Sequence, residues 1–213
     1  MRIFPLGDSA ATIEFGNEVS VELNDRSIAL ATDLESDPFE GMIEAVPAYA
    51  SVSIFFDKNV TSFASVKAIL SRSAGAAAAE RRYVSNLIEI PIVISGDTSA
   101  DIARVAQFAD IDEDAVLDLF FTRTYRVYML GFLPGFAYMG EVDERIACPR
   151  LETPRSKVAK GSVGIAGKQT GIYPLESPGG WNIIGRTDRK MFDASADQPC
   201  LLKPGDEVRF VRC

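Results

Sequence analysis

The most restrictive feature of this sequence is that its 213 residues include no histidine. Imidazole is the only side chain whose unperturbed pKa lies near neutrality, and it supplies the base of Ser-His-Asp and Cys-His pairs and two ligands of HExxH zinc sites. The sequence therefore excludes these hydrolase classes. Any proton transfer must depend on carboxylates, Lys, Tyr, Cys, water or another polypeptide.

Further absences concern location and metal binding. The first residues, MRIFPLGDS, lack the apolar core of a signal peptide. No run of about 18 uncharged apolar residues is present, so no membrane-spanning helix is predicted. The cysteines Cys148, Cys200 and Cys213 are odd in number and lack CxxC spacing, which favours reduced thiols over disulfides or a zinc site. We therefore expect a soluble, cytoplasmic protein without a metal site.

The charges are unevenly distributed along the chain. With 22 Lys and Arg against 30 Asp and Glu, the net charge of −8 argues against binding to nucleic acid, which requires cations on the phosphates. Residues 145–190 nevertheless contain nine basic and three acidic side chains. Such an asymmetry indicates an anionic ligand or an acidic partner surface. The predicted anion clamp, whose arginines offer paired donors to carboxylate or phosphate, consists of Arg150, Arg155, Lys168 and Arg186.

Residues 1–82 are predicted to form an α+β domain of the ferredoxin-like kind, because strand-like and helical patterns alternate there. One helix is expected to follow Asn17 and another to begin at Thr61. The predicted strands cover residues 3–6, 11–15, 42–46 and 51–56. A further strand is predicted at residues 87–94, after the domain boundary.

Residues 83–213 are predicted to form a β-rich domain with a short helical lead-in. The lead-in has apolar residues at helical spacing after Ser99 and a second helix capped by Asp112. Ten of the 16 glycines lie between Gly131 and Gly185 and separate short β-prone runs. This pattern is typical of an all-β sandwich or barrel.

Several motifs in this second domain have competing interpretations. The segment 161–170, GSVGIAGKQT, lacks the spacing of a phosphate-binding P-loop, so its glycines are interpreted as turn and close-packing positions. The aromatic segment 125–140 is interpreted as a core strand and tight turn in preference to a ligand-stacking surface. The loop 177–181, SPGGW, fits either a backbone that approaches a ligand or a packed barrel corner. A nucleophilic Ser177 is disfavoured without histidine, and Cys148 is interpreted as a structural thiol.

Three segments resemble one known family. They are YRVYMLGFLPGFAYMG at 125–140, PRLETPRSKVAKGSVGIAGKQTGIYPLESPGGWNIIGRT at 149–187, and LLKPGDEVRF at 201–210. A looser similarity includes EFG at 14–16 and EAVPAYASVSIFFD at 44–57. The sequence is similar to the family of the 5-oxoprolinase B component, which also includes the kinase inhibitor KipI and proteins named allophanate hydrolase subunit 1.

The resemblance implies a ferredoxin-like N-terminal domain, a cyclophilin-like C-terminal β-barrel, and two partners, the A and C components of 5-oxoprolinase. The assembled enzyme would open 5-oxo-L-proline to L-glutamate with ATP bound at the level of the complex. Two alternatives are an inhibitor of a sensor histidine kinase and half of a urea carboxylase-type or allophanate hydrolase-type carboxyltransferase. No catalytic residue is assigned. Substrate or anion binding is expected at Arg155, Lys168, Gln169, Ser177, Gly179, Gly180, Trp181 and Arg186.

The chain departs from the family pattern at Phe120, where members commonly have histidine. If that histidine is catalytic in relatives, this protein is inactive or specialised. If it is structural, Phe120 is an apolar replacement. A second departure is Ala137, which stands where the family motif GFPYLG has proline.

Overall fold

A computed structural model describes residues 1–76, 85–96 and 98–213 and divides the chain into two compact units, Met1–Val84 and Ser85–Cys213. The predicted domain boundary, between residues 82 and 83, lies outside the described residues. No helix among the described residues is long and apolar enough to cross a membrane.

The first unit pairs a four-stranded antiparallel sheet with two helices. Its elements are β1 (Arg2–Pro5), β2 (Ala10–Glu14), α1 (Val21–Ser36), β3 (Met42–Pro47), β4 (Ser51–Phe56) and α2 (Phe63–Ala76). The strand order is β1-β2-β4-β3. The four predicted strands are thus confirmed, but the element order ββαββα does not confirm a ferredoxin-like domain.

Helix α1 begins later than the sequence pattern predicts. The helix starts at Val21 rather than directly after Asn17, because the side-chain oxygen of Ser20 accepts a hydrogen bond from the Leu23 N–H at 3.1 Å. This contact satisfies one of the free N–H groups of the first turn. One face of α1 and alternate residues of β2 and β4, such as Ile13 and Ile54, form the core of this unit.

The second unit contains a seven-stranded sheet and two lead-in helices. Its elements are β5 (Leu87–Ile92), α3 (Ile102–Ala109), α4 (Glu113–Phe121), β6 (Thr124–Leu130), β7 (Ala137–Gly140), a 3₁₀ turn (Glu144–Ile146), β8 (Arg155–Val158), β9 (Ser162–Ala166), β10 (Gln169–Ile172), β11 (Ser177–Gly179), β12 (Asn182–Arg186) and β13 (Glu207–Arg212). The predicted Asp112 cap is confirmed, since its carboxylate accepts from the Ala115 N–H at 2.7 Å. The segment 161–170 is a β9–β10 hairpin and not a phosphate loop.

The sheet of the second unit is a nearly closed barrel. Its strand order is β12-β9-β10-β7-β6-β13-β5, and β5 pairs in parallel with β13. The two edges meet where Val93 and Arg186 exchange backbone hydrogen bonds of 2.8 and 3.1 Å. Gly185 permits this approach, because a Cβ there would lie 2.4 Å from a methyl of Ile92. This architecture is consistent with the expected cyclophilin-like barrel.

Two separate apolar clusters fill this unit. The larger packs α3 and α4 against the barrel strands and includes Val105, Phe120, Val127 and Phe210. The smaller cluster consists of Phe136, Val158, Ala166, Tyr173, Trp181 and Ile183. Strands β8 and β11 form a separate two-stranded ribbon beside it. This smaller cluster borders the cavity described next.

Candidate functional site

The second unit contains a cavity of about 210 Å³, and five of its ten lining residues are aromatic. We call it the aromatic cavity. Its lining residues come from the segment around β7, the loop before β8, and the β10–β12 region. They are Phe132, Phe136, Tyr138, Arg150, Pro154, Tyr173, Pro178, Gly179, Gly180 and Trp181.

Phe136 organises the aromatic walls of this cavity. Its ring meets those of Trp181 and Tyr173 edge to face, with centroids 5.4 Å away in both cases. The Tyr138 ring is tilted against it at 4.8 Å. Such offset and perpendicular contacts are the arrangement that aromatic quadrupoles favour. The cavity walls are therefore held by mutual ring packing.

The rim of the cavity includes a residue in an unfavourable backbone conformation. Phe132 has a φ of 68° and is 61% exposed. Side chains other than glycine rarely occupy this region, and strained residues concentrate at functional sites. The ring still contacts Phe136 edge to face at 5.5 Å. The turn thus presents an exposed aromatic ring beside the cavity.

Arg150 supplies positive charge at the rim. Its guanidinium carbon lies 5.8 Å from the centre of the Trp181 ring, within the range of a cation–π contact. Within residues 1–76, 85–96 and 98–213, no carboxylate forms an ion pair with it. The residue is exposed, so its guanidinium group is available to an anionic ligand.

Arg155 has a different environment, because it belongs to a largely buried network. Its Nη2 donates to Asp101 Oδ1 at 2.6 Å, and its Nη1 lies 3.5 Å from the Trp181 carbonyl. The other Asp101 oxygen accepts from the Ile183 N–H at 2.7 Å. The Asp101 side chain is only 8% exposed. This network fixes the backbone on both sides of Asn182 and thereby the position of the Trp181 wall.

Tyr173 places a phenol in the cavity wall next to the glycine pair. Burial raises the pKa of Tyr173, while the Trp181 backbone and the charges of Arg150 and Arg155 oppose that shift. The phenol therefore keeps its proton at neutral pH. A Cβ on Gly179 would lie 2.3 Å from the phenol oxygen, so only glycine fits there.

The other predicted site residues lie apart from the cavity. Lys168 pairs with Glu144 at 2.8 Å, and Gln169 begins β10 opposite Ala166 at one end of β9. Arg186 is opposite Ser162 at the other end of β9. At 3.3 Å per residue, Ser162 and Ala166 are about 13 Å apart along the strand. The buried Ser177 hydroxyl donates to the Pro178 carbonyl. Within this unit, the predicted clamp cations do not meet at one point.

No group of three or more potential metal ligands occurs among the described residues. Cys148 is a buried free thiol, and desolvation raises its pKa. A raised pKa opposes the thiolate form that nucleophiles and metal ligands require. The structure thus supports a structural role for this cysteine.

Comparison with known proteins identifies the family. The family "Carboxyltransferase domain, subdomain C and D" matches residues 1–202. The chain belongs to this carboxyltransferase C/D family.

Its relatives include proteins with the same extent. The B component of 5-oxoprolinase from Bacillus subtilis is 39% identical, with 99% of this chain and 92% of the relative covered. The protein of the same name from Escherichia coli O157:H7 is 38% identical, with 99% and 95% covered. The crystal structure of TTHA0988 superposes with a TM-score of 0.84 at 36% identity. That match covers 97% of this chain, which spans about two fifths (40%) of the TTHA0988 chain.

Within this carboxyltransferase C/D chain, Phe120 has a structural role. The ring is fully buried and stacks on Phe210 with centroids 5.1 Å apart. Its carbonyl accepts from the buried Tyr125 hydroxyl at 2.7 Å. Phe120 does not line the aromatic cavity. The environment of position 120 thus favours an apolar side chain, and it supports the interpretation of Phe120 as an apolar replacement.

Sequence reasoning missed part of the aromatic cavity. The aromatic pattern predicts core packing for Phe136 and Tyr138, and in the structure they both pack and line the cavity. Their position within an aromatic and Gly-rich segment was the available signal. Asp101 was also missed; it directly precedes α3, makes no cap hydrogen bond with its side chain, and bonds instead to Arg155 and Ile183, which lie more than 50 residues further along the chain. No local pattern indicates its long-range bond to Ile183.

Proposed function

We propose that this chain is the B component of a cytoplasmic, ATP-dependent 5-oxoprolinase that opens 5-oxo-L-proline to L-glutamate together with the A and C components. The observation that carries this proposal is the 38–39% identity to two proteins named as this component of 5-oxoprolinase, over 99% of this chain. Matching along nearly the whole of both chains supports the same role in the complex rather than a shared module.

The composition and the cavity support a non-autonomous role. Without histidine, the chain lacks the usual general base of independent hydrolases. The aromatic cavity, at about 210 Å³, is below the range of about 300–1,000 Å³ typical of drug-sized ligands. A nucleotide is such a ligand, so we place ATP outside this cavity. The longer TTHA0988 chain is consistent with this unit acting beside further domains.

The test is reconstitution. The chain is co-expressed with candidate A and C components, the complex is purified, and glutamate release from 5-oxo-L-proline is measured with and without ATP. We expect ATP-dependent release that disappears when this chain is omitted. A well-assembled complex that releases no glutamate would contradict the proposal. Slowed autophosphorylation of a histidine kinase, or biotin-dependent carboxylation, would then support the alternatives.

A further inference from the structure

The size and walls of the aromatic cavity restrict its ligand. A volume of about 210 Å³ is below the range of about 300–1,000 Å³ typical of drug-sized ligands and suits a single small ring. Phe136, Tyr173 and Trp181, which are 1%, 1% and 4% exposed, form its apolar floor, and Phe132, which is 61% exposed, presents ring surface at the rim. Flat or puckered small rings with polarised C–H groups pack well on such surfaces because aromatic faces carry partial negative charge.

The charge at the cavity rim restricts the ligand further. Arg155 is committed to Asp101 and Lys168 to Glu144, so neither is a free anion receptor. Arg150 lines the same cavity and, among the described residues, has no carboxylate partner. Its planar guanidinium group binds a carboxylate through two parallel hydrogen bonds. A small ring that bears a carboxylate therefore matches both the walls and the rim.

A polar group in the wall suits an amide carbonyl. The Tyr173 side chain lines the cavity, and its neutral phenol carries a hydrogen that it can donate. The main chain of Gly179 and Gly180 forms the wall beside it. A lactam carbonyl that enters the cavity can thus accept from a neutral phenol.

We propose that the aromatic cavity binds 5-oxoproline, with its five-membered ring against Phe136 and Trp181 and its carboxylate on Arg150. The lactam carbonyl accepts a hydrogen bond from Tyr173. This assignment rests on the proposed 5-oxoprolinase function and adds the location of the substrate within the complex. It makes Arg150 a substrate-binding residue.

The cavity can be tested on the full chain alone, because Trp181 is the only tryptophan in the sequence and lies in the cavity wall. Its fluorescence is followed during titration with 5-oxo-L-proline. The comparison ligands are 2-pyrrolidinone, which lacks the carboxylate, and L-proline, which lacks the lactam carbonyl. We expect a saturable change with 5-oxo-L-proline. The affinity for 2-pyrrolidinone should be at least about tenfold lower, because a charged hydrogen bond is lost, and that for L-proline about fivefold lower, because a neutral one is lost.

Arg150→Gln is the decisive variant, and Arg189→Gln is its matched control, because Arg189 is an exposed arginine outside the cavity lining. We expect Arg150→Gln to weaken 5-oxo-L-proline binding about tenfold and to leave 2-pyrrolidinone binding unchanged. Arg189→Gln should bind both ligands as the wild type does. Unchanged thermal unfolding of both variants establishes that they fold.

The outcomes separate this proposal from the proposed function. A flat fluorescence titration, or equal affinity of Arg150→Gln and wild type for 5-oxo-L-proline, overturns the cavity assignment even if the assembled complex releases glutamate. Binding that depends on Arg150, in a chain whose assembled complex releases no glutamate, supports the cavity assignment and contradicts the proposed function.

Discussion

Replacement of Asp101 by alanine should destabilise the second unit strongly. The substitution removes both acceptors of a buried carboxylate, which bind Arg155 Nη2 at 2.6 Å and the Ile183 N–H at 2.7 Å. Breaking a buried ion pair from one side costs about 3–5 kcal/mol. Because the Arg155 side chain is 32% exposed and can be partly rehydrated, we take the lower end, about 3 kcal/mol.

Asp101→Asn separates the two hydrogen bonds of this carboxylate. The amide oxygen can still accept from the Ile183 N–H, whereas the amide nitrogen, a donor, then faces the Arg155 guanidinium, so the ion pair and its hydrogen bond are lost. We expect a smaller loss in the free energy of unfolding, about 1–2 kcal/mol. The control is Glu176→Ala, which breaks the exposed Lys157–Glu176 pair of 2.9 Å with side-chain exposures of 69% and 53%. Exposed pairs contribute little, so this variant should resemble the wild type.

Urea unfolding followed by Trp181 fluorescence measures these losses, because the single tryptophan reports on the second unit. The expected order of stability is wild type and Glu176→Ala, then Asp101→Asn, then Asp101→Ala. An Asp101→Ala variant within about 0.5 kcal/mol of wild type, the range of ordinary surface substitutions, would refute a stabilising role for this network.

Three further predictions concern packing and pH. Gly179→Ala should lower the free energy of unfolding by about 1–3 kcal/mol, because the new methyl group overpacks against Tyr173. Gly180→Ala should cause no such loss, because its Cβ would have no neighbour closer than 3.6 Å. Equal urea midpoints of the two variants would contradict this prediction. Phe120→His should lose more stability at pH 5.5 than at pH 8. An apolar site lowers the folded-state pKa of a histidine below its unfolded value of about 6.5, so the unfolded state binds the extra proton at pH 5.5. Equal losses of melting temperature at the two pH values would count against this prediction. Burial raises the pKa of Tyr125, so the contribution of Tyr125 to the free energy of unfolding is present below its unfolded-state pKa of about 10 and declines as pH rises above that value. Tyr125→Phe should therefore reduce the loss of urea midpoint at alkaline pH. An unchanged loss would show that other groups cause it.

Local chemistry was sufficient for several elements of the fold. The strand at 51–56 follows from the alternation of Val52, Ile54 and Phe56 with more exposed residues, and the Asp112 cap follows from a side chain that bonds three residues ahead. Helix α1 was misplaced at its start because Asn17 and Ser20 are both good caps, and the competing backbone conformations are not visible in a residue pattern.

The site was less predictable because its parts are distant in sequence. Phe136, Tyr173 and Trp181 meet only through pairings between non-consecutive strands of the barrel. Sequence reasoning grouped the cations by proximity along the chain, but ion pairing depends on which carboxylate the fold brings close. Asp101 therefore occupies Arg155, and Arg150 is left facing the cavity.

The sequence by itself determined which chemistry is excluded, since the absence of histidine holds for any fold, and it located a cationic, glycine-rich region in an acidic chain. Only the tertiary structure decided that Phe120 belongs to the core and that Gly185 allows the barrel edges to meet. The physical reason is the sequence distance over which each interaction acts. Composition and capping act within a few residues, whereas burial, ring packing and ion pairing depend on contacts that strand pairing creates between remote segments.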